Sequence, residues 1–443
     1  MLKMETNLSG TDMISDLPDN LLTHILSFLR PREAVQTCIL SKRWRTTWTS
    51  MPVLRFDYEK FLVVPKKRTK ENWVKFVKFV GQVLQNRERL LSLDIFEFNC
   101  YPSRYPTDPF PIQCILLALK FNPRVFSLCA SSEVFFYCAE PIFSCASLQN
   151  ILLHDTSFRE ADKFLELKIL KLPRLKKLEL GWLRVDDNLF QMLFLGCPVL
   201  DELELLRCRL HVSLLYSEVL NSLVLSGCHL EKNLVISTRN LVHLVIDHTR
   251  SDGFYFSLEN MASLVDVRIE YSNVYENHHL VSSNCGWNIH NHPSNFSMPD
   301  LTLENNQAKK VSGKISFNRS DFKILKSLHL GCSDLSNLFN SIALFLHNSP
   351  NLKKLSLEVL SKPEWCIKSS KEEWSNAKPN YEKCVDALLK QKHLEVVLIM
   401  ESLFTREETV MKLFQELYSL ATSTRKITFI VFAQDSSNYH HVC

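Results

Sequence analysis

Glycine is scarce in this chain, with nine residues in 443. A loop that cradles phosphate needs glycines close together so that backbone amides can reach the anion, and neither a Walker loop nor a G-x-S-x-G elbow occurs. H-E-x-x-H and RING-like Cys/His arrays are missing as well, so no motif points to an enzyme with its own nucleophile or metal. No apolar run approaches the ~18 residues that span a bilayer. The opening residues, MLKMETNLSGTDMISD, lack the apolar core of an export signal. Net charge is small: 52 Lys and Arg oppose 48 Asp and Glu, so no global field draws the chain to nucleic acid or membrane. The 14 cysteines are dispersed and form no C-x-x-C pair. With no export signal, they fit a reducing cytoplasm or nucleus better than a disulfide scaffold.

What is present begins with three helical patterns between Asp16 and Trp48. In the first, Leu21, Leu22, Ile25, Leu26, Phe28 and Leu29 are apolar. At 100° per residue they span an arc of roughly 160°, wider than the ~100° stripe needed to face one core. Such a helix should touch both its neighbours and something else. Asp16-Leu17-Pro18 reads as its start, with Pro18 near the first turn where a missing N–H costs nothing. Pro31 ends this pattern and can open the second, Arg32 to Leu40. The third follows Ser41, a plausible N-cap, and sets Trp44 and Trp48 on one side.

Farther on, a Leu-x-x-Leu-x-Leu spacing recurs at Leu148, Ile151, Leu153; at Leu175, Leu178, Leu180; at Leu200, Leu203, Leu205; and at Leu220, Leu223, Leu225. It continues at Leu241, Leu244, Ile246 and Leu264, Val267, Ile269, then after a gap at Leu325, Leu328, Leu330 and Leu352, Leu355, Leu357. Leu90, Leu93, Ile95 fit more weakly. Intervals of roughly 20–27 residues lie in the range of a leucine-rich repeat. In two units a cysteine follows the strand, Cys208 and Cys228, where a small residue suits the turn. Alternate strand residues point inward and each unit leaves an apolar face for the next to cover. Lys176, Lys177, Glu179, Asp201, Glu202, Glu204, Ser222 and Val224 are expected outward, on the concave surface where a partner would bind.

The Asp16–Trp48 stretch closely resembles the plant-type F-box. The resemblance rests on Ile14, Leu17-Pro18, Leu21, Leu22, Ile25, Leu26, Phe28, Leu29, Ala34-Val35, Leu40-Ser41-Lys42-Arg43-Trp44 and Trp48. It implies docking on a Skp-type linker protein that joins a cullin–RING ubiquitin ligase. The contact residues carried over are Leu17, Pro18, Leu22, Ile25, Leu26, Val35, Cys38 and Ile39, with the division between interface and internal core left open. With the repeats, the chain resembles a plant F-box/leucine-rich-repeat protein.

The expected fold is α/β: a small three-helix F-box, then a curved leucine-rich-repeat solenoid with a parallel sheet and a C-terminal strand–helix–strand cap. Expected boundaries are 12–57 for the F-box, 58–84 for a linker and connecting helix, and 85–360 for degenerate repeats with a polar insertion at about 275–320. A loop at 361–385 and a C-terminal module at 386–434 follow. Leu394, Val397 and Ile399 read as that module's first strand, Val410 to Leu420 as its helix and Ile427 to Val431 as its last strand. The module is weakly similar to the one such plant proteins carry after their repeats.

The implied function is substrate recognition in a Skp–cullin–F-box ligase, with no catalytic residue and no cofactor. The partners are the linker and a target protein, without nucleic acid or membrane, in the cytoplasm, the nucleus or both. A non-degradative scaffold and a small-molecule receptor are the alternatives. The basic run Pro65-Lys66-Lys67-Arg68-Thr69-Lys70 reads as a solvated linker or an import signal. His278, His279, Cys285, His290 and His292 have zinc-ligating chemistry but no zinc spacing, and read as a polar loop.

Overall fold

The computed structural model describes residues 14, 17–62, 69–100, 109–155, 164–251, 256–271, 315–317, 322–332, 335–359, 383–384, 387, 394–401 and 427–432. The His-rich loop, residues 65–68 of the basic run and the expected C-terminal helix lie outside these. Elements are numbered along the chain. The helices are α1 (Asp19–Leu26), α2 (Pro31–Gln36), α3 (Trp44–Thr47), α4 (Tyr58–Phe61), α5 (Lys70–Gln85), α6 (Phe110–Leu119), α7 (Ser132–Phe143), α8 (Asp187–Gly196) and α9 (Leu335–Asn348). Thirteen strands form one parallel sheet: β1 (Val53–Asp57), β2 (Ile95–Asn99), β3 (Val125–Ala130), β4 (Asn150–Asp155), β5 (Lys177–Gly181), β7 (Glu202–Leu206), β10 (Ser222–Ser226), β13 (His243–Asp247), β16 (Asp266–Tyr271), β18 (Ser327–Cys332), β19 (Lys354–Val359), β20 (Glu395–Glu401) and β21 (Ile427–Phe432). Among the described residues, two four-stranded sheets run behind it. One holds β6 (Arg184–Asp186), β8 (Arg209–His211), β11 (His229–Leu230) and β14 (Arg250–Ser251); the other holds β9 (Leu214–Tyr216), β12 (Leu234–Ser237), β15 (Phe256–Glu259) and β17 (Ile315–Phe317).

Repeat length decides what lies behind the main sheet. Strand starts at 95, 125 and 150 leave room for α6 and α7, and the step from 177 to 202 holds α8. From 202 through 222 and 243 to 266 the interval shrinks to between 20 and 23 residues. A three-turn helix and two reversals do not fit into so few residues, so short strands replace it and pair with their equivalents one repeat away.

The leucine frame is the core. Leu178, Leu203, Leu223, Leu244, Val267, Leu328 and Leu355 share one register line across the sheet, and all are buried. Two expectations shift. Leu90 is 93% exposed; the second strand's frame is Leu93, Phe96, Phe98, because Phe96 pairs with Phe126 and through it with Ile151. In β20, Val396 pairs with Leu355, so Val396 takes the inward line, not Val397. The first strand, unannounced by leucines, uses Met51, Leu54 and Phe56 in the same way.

The F-box helices do not stand apart from this core. Leu22, Leu26, Ala34 and Trp44 belong to one continuous cluster of buried side chains that runs into the repeats. The segment expected as linker and connecting helix contains α5, whose Trp73, Phe76, Val77 and Val80 are buried. Tyr58, Phe61, Trp73, Phe76, Phe96 and Phe98 pack ring against ring and close the N-terminal end of the sheet. Buried Arg87 donates to the carbonyls of Met51 and Ser92 and lies over Phe121. Burial pulls its guanidinium down to about 10.

Candidate interaction surfaces

Pro18 is the N-cap of α1, one position before the helix, and its carbonyl accepts from the amides of Leu21 and Leu22. Arg43 fixes this end: it donates to Asp19 at 2.6 Å and to the Leu17 carbonyl. In α2, Glu33 accepts from the backbone of Arg30, and Pro31 occupies the first turn. Ser41 is not a cap; α3 starts at Trp44, with helical Arg43 before it.

This packing sorts the eight expected docking residues. Leu22 and Leu26 have no exposed surface and belong to the interior, because α1 turns that edge toward α3. Pro18, Ile25 and Ile39 are exposed, while Leu17, Val35 and Cys38 are half-buried. Beside them lie apolar residues outside that expected set: Ile14, Leu21, Phe28, Leu29 and Leu40, all exposed, with Phe28 at 76%. Val35, Cys38, Ile39, Lys42, Arg45 and Trp48 line a shallow, open depression between the 3-10 turn Thr37–Ile39 and α3.

The second surface is the open face of the main sheet, formed by the alternate strand residues that point away from the core. Lys177 bridges Glu204 at 2.6 Å and Glu202 at 3.4 Å. Burial opposes its charge, but the two carboxylates prevail and raise its pKa. Arg55 pairs with Glu97 at 3.1 Å, His154 with Glu179 at 2.7 Å and His243 with Asp266 at 3.1 Å. Gly181 permits the His154 contact, since a Cβ there would stand 2.6 Å from the ring. Asp57, Asp247, Glu358 and Glu395 also face outward, as does Lys354.

Charge is densest across β13, β16, β18 and β19. Glu270, only 3% exposed, pairs with Arg268 and lies 3.7 Å from His248. His329 Nε2 sits 3.2 Å from one oxygen each of Glu270 and Glu358, meeting the directional requirement of a hydrogen bond to neither. Burial works against the Glu270 charge, yet His329, Arg268 and His248 hold its carboxyl down at about 2. Burial also disfavours charged His329, but Glu270 and Glu358 outweigh it and raise the imidazole's pKa. Asp247 goes the other way: burial, with the Glu270 charge beside it, pushes its carboxyl up. Glu270, His329 and Glu358 bring three metal-ligating atoms within 4.8 Å of one another. Arg268 already places positive charge on Glu270, where a cation would have to sit.

After each open-face strand the chain reverses, and here the cysteine positions gain a role that repeat spacing does not reveal. Cys208 Sγ donates to the carbonyl of Leu180 at 3.3 Å, Cys228 Sγ to Leu205 at 3.2 Å and Thr249 Oγ1 to Leu225 at 3.2 Å. Each is a donor one repeat ahead, satisfying a buried carbonyl one repeat back. Burial pushes the Cys208 thiol up to about 12 and the Cys228 thiol well above its ordinary value.

Residues 14–56 match the F-box domain family, and residues 126–256 match the family described as FBD-associated F-box protein At5g56370, LRR repeats. An Arabidopsis thaliana F-box/LRR-repeat protein, At3g58900, is 31% identical over 252 residues, covering 55% of this chain and 72% of its own length. The chain belongs to the F-box/LRR-repeat family. Among other Arabidopsis members, At3g59210 is 29% identical over 266 residues, covering 58% of this chain and 53% of its own length. The F-box/FBD/LRR-repeat protein At5g44980 is 25% identical over 364 residues, covering 78% and 79%. The chain thus spans about half the length of some of the curated relatives it matches. No solved structure matches it. In this F-box/LRR-repeat protein the F-box and the repeats each present a surface: one apolar, on α1 and the α2–α3 depression, and one charged, on the sheet.

Proposed function

We propose that this protein is the substrate-recognition subunit of a Skp–cullin–F-box ubiquitin ligase. F-box/LRR proteins generally serve as non-catalytic adaptors in such ligases, and membership in that family supports the reading. The observation that carries it is the apolar surface left on so small a helical unit. Leu21, Ile25, Phe28, Leu29, Ile39 and Leu40 are each at least 36% exposed although Leu22, Leu26 and Trp44 already fill the interior. Fully burying one such side chain is worth ~1.5–3 kcal/mol, so this surface invites a partner. The Skp-type linker is that partner, held by Leu17, Pro18, Ile25, Val35, Cys38 and Ile39, with Leu21, Phe28, Leu29 and Leu40 added.

The open face of the sheet receives the target, and ubiquitin transfer follows from proximity: tethering raises the target's effective concentration near the charged conjugating enzyme. The test is co-purification of the full chain with a Skp-type linker. Ile25→Asp with Phe28→Asp should abolish the complex and leave the melting temperature unchanged, because both side chains already face solvent. A double variant that retains the linker overturns the proposal.

A further inference from the structure

We infer that the open face of the main sheet docks a basic, lysine- and arginine-bearing extended segment of the target. The inference rests on the reading of that face as the target's surface and adds the chemistry of what it takes. Among the described outward side chains of the twelve strands from β1 to β20, ten are carboxylates: Asp57, Glu97, Glu179, Glu202, Glu204, Asp247, Asp266, Glu270, Glu358 and Glu395. Only four are lysine or arginine: Arg55, Lys177, Arg268 and Lys354. With histidines counted as neutral in both, the face is therefore six charges negative in a chain that is four positive overall. The remainder carries the opposite sign, so the asymmetry belongs to this face and not to composition. Clefts and faces lined by one sign raise the local concentration of oppositely charged partners and orient their approach.

The excess has a centre. The outward positions of β13 to β20 hold five of the ten carboxylates against Arg268 and Lys354. Asp247 Oδ1 is buried without a hydrogen-bond donor. A buried carboxylate oxygen in that state is poorly stabilised, which strengthens the draw of this centre on a nearby cation. Glu270 stands level with Asp247 on the next strand, and Glu358 is two strands farther along the same line. Strands lie about 4.8 Å apart, so the backbones of Glu270 and Glu358 are separated by about 10 Å, but their side chains converge on His329 and bring an oxygen of each within 4.8 Å of the other. An extended segment crossing the strands along this line would meet the two carboxylates at one point. Arg268 and His248 answer Glu270 from within the chain, so the anchors are the outward carboxylates that an incoming cation can reach, Glu202, Asp266 and Glu358, with 43, 46 and 26% of their side chains exposed.

The test uses the full chain and two fluorescein-labelled 12-residue peptides, (Lys-Ser-Gly)4 and (Glu-Ser-Gly)4, followed by fluorescence anisotropy at low and high salt. The cationic peptide should bind at least tenfold more tightly than the anionic one and weaken as salt rises. A triple variant, Glu202→Gln, Asp266→Asn and Glu358→Gln, should lose five- to tenfold of that affinity. A matched triple elsewhere, Glu71→Gln, Glu133→Gln and Glu166→Gln, changes net charge equally and should stay within twofold. Equal losses in the two triples would assign the binding to net charge and overturn the inference, as would equal affinity for both peptides. Changing the same three open-face residues to lysine should reverse the preference toward the anionic peptide. Linker co-purification is scored on the same preparations. Linker retained with no cationic preference defeats this inference alone, whereas linker lost with the preference intact defeats the adaptor reading alone.

Discussion

Replacing Glu270 with glutamine should cost about 3 kcal/mol of stability at pH 6 and only about half as much at pH 3. The carboxyl is held at about 2 against an ordinary 4.5. Each unit of difference is ~1.4 kcal/mol, which gives the pH 6 figure. The sign follows from a depressed carboxylate: its contribution is complete above the unfolded value and is lost as pH falls through the folded one. His329 behaves oppositely. Its raised pKa gives stability that is complete below 6.5 and fades as pH climbs through the folded value. The cluster is therefore most stabilising at about pH 5–6. Asp247 trims the effect, since removing the Glu270 charge relieves part of what pushes its carboxyl up. Urea melts of the full chain at the two pH values measure the difference. Hydrogen exchange of the β16, β18 and β19 amides gives a local readout, because long repeat arrays need not unfold in one step. A loss of the same size at pH 6 and pH 3 would refute the electrostatic account.

Other outcomes follow from packing and burial. Leu205→Ala should cost about 2–5 kcal/mol, whereas Leu90→Ala should lie within about 0.5 kcal/mol of neutral; denaturant melts of the pair test the repeat frame. Thr249→Val leaves the Leu225 carbonyl without its side-chain donor and should cost about 1–3 kcal/mol, read by the same melts. Half-buried Cys38 should react with a maleimide in the native protein, while Cys208 and Cys228, with their raised thiol pKa values, should not. Peptide mapping of the labelled protein checks this, and bound Skp-type linker should protect Cys38.

The leucine ladder was legible in the sequence because one residue type repeats at a spacing that only a stacked strand requires. The first three strands were not, since Leu54, Phe56, Phe96, Phe98 and Phe126 fill the same inward line with mixed side chains and phenylalanine breaks the visual period. The apolar excess of α1 was readable from its arc. Its division into buried Leu22 and Leu26 and exposed Leu21, Ile25 and Phe28 depends on where α3 packs, which spacing along one helix does not carry. The charged cluster was hidden for a different reason. Glu270 and His329 are 59 positions apart and meet only because β16 and β18 pair across the long polar insertion. The serial donors Cys208, Cys228 and Thr249 show the same limit: position suggested a small residue, and only the register shows the carbonyl each one serves.

The proposed docking of a Skp-type linker on the exposed apolar face of the F-box can be measured by isothermal titration of purified linker into the full-length chain, wild type beside Phe28→Asp with Ile25→Asp. A saturable one-to-one complex is expected for the wild type and loss of at least a hundredfold in affinity for the variant, with unchanged melting temperature. Equal affinity for the two proteins, or no binding by the wild type, would contradict it.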